Sequence, residues 1–150
     1  MTVRPAKTFD YNLRLKDAGL LAASAACQVG GVAKILDLGS GLIEGDIVID
    51  VSAIEVASDD ERYCIGVQIS DSSTFASGIY EVQQLVLGAA GTAAGDVVNG
   101  DTDMGVGRYV IPFTNEIAES VTKRYLRLYV TIAGSVATGI NFVANLHKKN

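Results

Sequence analysis

The sequence predicts an all-β protein: an antiparallel two-sheet sandwich, jelly-roll-like, with about eight strands. Three observations carry that expectation. Apolar residues recur at every second position in several separate segments, which is the period of a strand and not of a helix. Sixteen glycines against two prolines supply turns between those segments. Hardly any stretch joins a helix cap to a regular apolar stripe. With 150 residues, 49% of them apolar and none Trp, the chain is long enough to bury about two thirds of its unfolded surface in one core. A single domain spanning residues 1–150 is expected, with residues 1–8 as an extended N-terminal arm.

In chain order, "FDYNLRL" (9–15) alternates strictly, with Phe9, Tyr11, Leu13 and Leu15 on one side, and predicts a half-buried strand. Residues 18–34 are small and weakly patterned, and are expected to be mostly extended loop. "DIVIDVSAIEVA" (46–57) places Ile47, Ile49 and Val51 inward and then shifts phase to Ile54 and Val56, as a β-bulge would. The polar turn 58–61 leads into "RYCIGVQIS" (62–70), with Tyr63, Ile65, Val67 and Ile69 facing one way, and the two segments are expected to pair as a hairpin.

A polar loop, 71–78, precedes a less regular strand, "YEVQQLVLG" (80–88). The Gly-rich excursion 89–107 has no apolar period and is expected to be a contact loop. "RYVIPFT" (108–114) buries Tyr109, Ile111 and Phe113, while Pro112 withholds a ladder donor and marks an edge strand. "NEIAESVT" (115–122) is expected to form one or two helical turns capped by Asn115. "YLRLYVTI" (125–132) and "INFVANL" (140–146) are the last two strands, expected to form a second hairpin across a loop holding Gly134 and Gly139.

The stretch most suggestive of chemistry is "ILDLGSGLIEG" (35–45), an aliphatic run ending in an acid and Gly-Ser-Gly, as S-adenosylmethionine enzymes open their cofactor loop. Such a loop needs a parallel strand before it and a helix behind it, so that helix N-terminal amides meet the ligand. Here the chain runs straight into the alternating strand at Asp46. A strand ending in a glycine turn is the expectation, and no cofactor is predicted. "GAAGTAAGD" (88–96) lacks the Gly-Lys-Ser/Thr ending of a phosphate loop. Asp96, Asn99, Asp101 and Asp103 are oxygen donors of the kind calcium takes, but their spacing departs from the EF-hand and suits ordinary turns. No metal is predicted.

Cys27 and Cys64 form neither a metal spacing nor a disulfide framework and read as small core residues. "AGLLAASAAC" (18–27) is too short, and Asp17 too close, for a lipoprotein signal. No run reaches a membrane span of about 20 apolar residues. The sole histidine, His147, sits beside two lysines near the C-terminus, where a fraying tail is expected to hold no catalytic geometry. The expected catalytic set is empty, and the protein is expected not to be an enzyme. A net charge of −5 argues against nucleic acid, whose binding draws on a positive field. Basic residues gather at the ends, Arg4, Lys7, Arg14 and Lys16 at the front and Lys148 and Lys149 at the back, either as solvated tails or as contacts for an acidic protein surface.

"ILDLG" (35–39), "VQISDSSTF" (67–75), "RYVIPF" (108–113) and "RYLRLYVTI" (124–132), in that order and spacing, resemble the capsid cement, or decoration, proteins of tailed bacteriophages, particularly the Bbp16-like group. The likeness covers roughly residues 9 to 146. It implies a homo-oligomer, dimer or trimer, made in the bacterial host cytoplasm. On the outside of the assembled head it would bridge neighbouring major capsid proteins. It brings no catalytic residues. Leu126, Leu128 and Tyr129 are implied to be packing residues and Phe75 the anchor of its loop. The N-terminal segment with Arg4, Pro5, Phe9 and Tyr11 is the expected partner contact. The competing expectation is a sandwich module that binds carbohydrate or a host surface on a phage fibre or surface protein; the lack of Trp speaks against it.

Overall fold

The structure, a computed structural model, describes residues 10–88 and 105–149. Among the described residues fourteen strands run in chain order: β1 (Arg14–Lys16), β2 (Leu20–Leu21), β3 (Ala25–Ala26), β4 (Gln28–Val29), β5 (Val32–Ala33), β6 (Leu36–Asp37), β7 (Glu44–Ile54), β8 (Arg62–Ser70), β9 (Tyr80–Leu87), β10 (Gly107–Thr114), β11 (Glu116–Ala118), β12 (Val121–Thr122), β13 (Tyr125–Ala133) and β14 (Ile140–Lys148). Six of them are long and build two antiparallel sheets. One has the order β1-β14-β7-β10, with β2 also on β14; the other has the order β3-β13-β8-β9, with β6 also on β13.

The alternation dictates the packing. Ile47, Ile49 and Val51 of β7 and Ile140, Phe142, Ala144 and Leu146 of β14 face Tyr63, Ile65, Val67 and Ile69 of β8 and Leu126, Leu128 and Val130 of β13, all buried in one cluster. Each fully buried Ile or Leu in that layer stabilises by about 1.5–3 kcal/mol relative to exposure. The predicted phase change is present: Asn141 lies opposite Ala53 but Phe142 opposite Val51, so Ser52 is the extra residue of a bulge.

Both predicted hairpins are corrected. β7 and β8 lie in different sheets, as do β13 and β14; β7 instead pairs β14, and β8 pairs β13. The segment β7–β8 thus runs antiparallel to β13–β14 as a ribbon bent over itself, which is the jelly-roll-like feature of the sandwich. The bend is held by acids. One Glu55 carboxylate oxygen accepts from the amides of Ala137 (2.9 Å), Thr138 (2.7 Å) and Gly139 (2.9 Å). Asp60 takes the amide and hydroxyl of Ser135, both at 2.9 Å. The Tyr63 hydroxyl donates to the Glu55 carbonyl at 2.8 Å. A pair of polar turns that signals "hairpin" in sequence serves equally well to carry the chain between layers.

Three further expectations change. Residues 10–15 do not continue one strand: Tyr11–Leu13 is a 3-10 turn, because the Asp10 side chain accepts from the Asn12 amide at 2.9 Å and diverts the backbone before β1. The extended run 18–34 contributes four two-residue strands, β2 to β5. Residues 115–122 form no helix; β11 and β12 make a small hairpin around Ser120, at φ 60°. Of the expected contact loop, residues 89–104 lie outside the described residues.

The acid straps give stability a direction with pH. Glu55 is held below the ordinary carboxylate range, first by the Gly139 amide, and Asp60 by the Ser135 amide. Asp71 is lowered by the Lys123 ammonium, and Asp37 is drawn down to about 2 by the Arg124 guanidinium. Groups with a folded pKa below the unfolded one contribute stability above the unfolded value and lose it as pH falls through the folded one. Thermal unfolding followed from pH 7 to pH 2 is therefore expected to show a Tm that is level at first and falls below about pH 5. A Glu55→Gln, Asp60→Asn double variant should have a lower Tm at neutral pH and a flatter decline.

Candidate functional site

On one side of the sandwich two long strands end their sheets. Among the described residues β9 pairs only with β8, and β10 only with β7. The last turn of β10, the start of β9 and the β11 strand surround a hollow of about 580 Å³. Tyr80, Val82, Phe113 and Ile117 give it an apolar lining; Glu44, Glu81, Glu116 and Lys149 give it charge. Pro112, exposed in β10, keeps part of that edge without a donor, as the sequence predicts. Two strand edges with ladder groups to offer and an apolar hollow between them are suited to an extended segment of another chain.

The hollow is shaped by a buried polar knot. Asn115 is fully buried; its Nδ2 donates to the carbonyls of Gly41 (2.9 Å) and Lys123 (2.8 Å), and its Oδ1 accepts from the Ile43 amide at 2.8 Å. It ties the end of β10 to the glycine turn and to the exit of β12. That corrects its expected role as a helix cap. The same carboxamide that caps a helix by meeting backbone amides here meets the segment entering β7 and the residue leaving β12.

The glycine turn is a structural corner. Asp37 receives the Arg124 guanidinium at 2.8 and 2.9 Å and the Gly39 amide at 2.9 Å. Gly39 and Gly41 take φ 76° and 103°, and the chain passes directly into β7 with no helix behind the turn. The acid that suggested a cofactor loop is spent on an arginine.

Of the predicted contact residues, Tyr11 is 62% exposed, on the 3-10 turn, with the Arg14 guanidinium 5.4 Å from its ring. Arg4, Pro5 and Phe9 lie outside the described residues, as do Asp96, Asn99, Asp101 and Asp103. His147 is not in a fraying tail: it belongs to β14 opposite Asp46, and its Nδ1 is buried without a hydrogen-bond partner among the described residues. Cys27 is fully buried, and burial pushes its thiol up to about 12; Cys64 is also buried and raised. Both stay protonated and unreactive at neutral pH. Among the described residues no three His, Cys, Asp or Glu side chains gather to hold a metal ion, and no helix is long and apolar enough to cross a membrane.

The residues that sequence reasoning missed are those of the hollow, Tyr80, Glu81, Glu116 and Ile117, which come together only once the unpaired edges are known. Pro112 was the one signal pointing there. Compared with known proteins, the chain matches no family model, and no curated protein matches it.

Proposed function

We propose that the protein works by binding and not by catalysis, as a structural module that joins other protein chains. Within that class it is a capsid cement protein: a homo-oligomer on the outer surface of an assembled phage head, bridging neighbouring major capsid proteins. The observation that carries the proposal is the pair of edges, β9 and β10, left unpaired among the described residues and flanking an apolar hollow on one side of the sandwich. The sequence likeness to cement proteins supplies the partner.

The physics suits the task. A cement protein stabilises the finished shell only by binding it better than free capsid subunits. A contact that spans two capsomers exists only after assembly. Each contact of about 1,000 Å² can be modest, because a bridging molecule engages several shell subunits together. Tyr11, one of the expected contact residues, is exposed on the 3-10 turn and so is accessible to a partner.

The test is electron microscopy of expanded heads mixed with the full chain and with a variant lacking residues 1–8. The full chain is expected to decorate the heads. The variant is expected to keep its Tm and leave heads bare; decoration at full occupancy would remove the arm from the proposal, and bare heads with the full chain would end the proposal itself.

A further inference from the structure

The outer face of the β8–β13 sheet holds an arginine without a carboxylate. Outward positions of β13 read Tyr125, Arg127, Tyr129, alternating with the buried Leu126, Leu128 and Val130. The Arg127 guanidinium lies 4.5 Å from the Phe75 ring centroid and 5.2 Å from that of Tyr129. Its Nε donates to Gln68 Oε1 at 2.8 Å, across the β8–β13 register. That is one neutral acceptor for five donors. Arg14, Arg108 and Arg124 each hold a carboxylate, Asp17, Asp50 and Asp37, while Arg62, exposed at the start of β8, makes no ion pair among the described residues. Among the described residues Arg127 holds none. Glu81, in the same cross-strand row beyond Gln68, leans over Gly66 and takes its hydrogen bond from Gln84.

The loop before it is built to keep the guanidinium there. Phe75 adopts φ 55°, a left-handed conformation that is rare and strained for an aromatic residue. A net of small hydroxyls and turn amides holds it: the Phe75 amide donates to the Ser72 carbonyl at 3.1 Å, the Ala76 amide to Ser72 Oγ at 3.2 Å, and Ser70 Oγ to the Ser77 carbonyl at 2.8 Å. The ring is thereby buried against Arg127. Burial also lowers the Arg127 pKa from its ordinary value, the mark of a charge partly stripped of water. With Nε taken by Gln68, the two Nη groups remain as an end-on fork that matches the two oxygens of a carboxylate.

We propose that the Phe75–Arg127–Tyr129 sandwich is a receptor for a carboxylate of a protein partner, an Asp or Glu side chain that Arg127 grips end-on beside the Tyr129 ring. Stacked arginine and tyrosine are among the side chains that dominate binding energies at interfaces. Resting on the cement-protein proposal, that acid belongs to the capsid shell, and this face is a second contact, distinct from the hollow at β9 and β10.

The test has two arms. In the first, the amides of Gly66 and Tyr129 are followed by NMR as sodium acetate is added, with sodium chloride at equal ionic strength as the control. They are expected to shift saturably with acetate alone, and to stop doing so in Arg127→Lys, which keeps the charge and loses the planar fork. Equal shifts with chloride, no saturation, or shifts that survive in Arg127→Lys would overturn the receptor. Unchanged amide positions away from β13 show that the variant is folded. In the second arm, Arg127→Lys should bind expanded heads at least about tenfold more weakly than the natural chain. Equal binding by both would overturn the shell as the source of the acid. Heads that bind neither protein would end the cement proposal while leaving the acetate result standing.

Discussion

Gly139→Ala is expected to destabilise the fold by more than about 4 kcal/mol. Gly139 sits at φ 87°, where an L side chain costs about 1–2 kcal/mol. A Cβ there would overlap the Leu21 carbonyl oxygen and stand 2.5 Å from its carbon, backbone atoms of β2 with no room to retreat while β2 pairs β14. Moving β2 aside would also pull on the bend, because the Gly139 amide is one of three that hold Glu55 and its carbonyl accepts the Glu55 amide at 3.0 Å. The sum exceeds about 4 kcal/mol, a large part of the stability of an ordinary domain. Gly78→Ala is the matched control: φ is 61°, so a left-handed penalty applies there too, but nothing lies within 4 Å of the added atom. Urea unfolding of the two variants separates the terms. Equal losses would mean that the close passage of β2 over the 134–139 loop contributes nothing.

Which residues face inward was legible; which strands meet was not. Ile47, Ile49 and Val51, then Tyr63 through Ile69, announce buried faces because a strand has two sides and the core has one chemistry. Pairing depends on where the chain goes after the strand ends, and the turns after Ile54 and Ala133 carry the same glycines and acids as a hairpin turn. What sends them across the sandwich is the fit of Glu55 and Asp60 into amides 75 or more residues away, a long-range match that no local pattern contains. The strand expected over 9–15 and the helix cap expected at Asn115 failed for a related reason. A short polar side chain can cap a helix, bend a strand or tie two segments together, and only its surroundings decide. The glycine turn was legible because Leu42 to Asp46 lead directly into an alternating strand and leave no length for a helix.

The surface was harder still. An unpaired edge is a property of a whole sheet, so the hollow between β9 and β10 left only Pro112 as its trace. Arg127 hid in plain alternation: a Tyr-Arg-Tyr outer face reads as an ordinary solvated strand. Its significance comes from Phe75, 52 positions earlier in the chain, in a backbone conformation that sequence does not reveal for a phenylalanine.

Phe142→Ala is expected to lose about 3–5 kcal/mol, and Phe142→Leu about 1–2 kcal/mol. Phe142 is fully buried in β14 and covers an unusual neighbour, Lys16, which is itself buried. The Lys16 Nζ lies 4.5 Å from the ring centroid and donates to the carbonyls of Asp17 (2.9 Å), Gly19 (2.8 Å) and Phe142 (2.9 Å). Burial pulls the Lys16 pKa below its ordinary 10.5. A lysine with a lower pKa folded than unfolded weakens the fold while charged, and that loss is relieved as pH rises from the folded value through the unfolded one. In the natural chain this group alone makes stability climb with alkalinity just below 10.5. Removing the ring leaves space for water beside the ammonium, restores its hydration and brings its pKa back toward the ordinary value. Urea titrations at pH 7 and at pH 10 therefore read both effects: a large loss at the lower pH, and a larger one at the higher, where the penalty of the buried Lys16 ammonium is relieved in the natural protein and the variant has no such penalty left to lose. A loss that is the same at both would show that the ring packs the core without shielding the lysine.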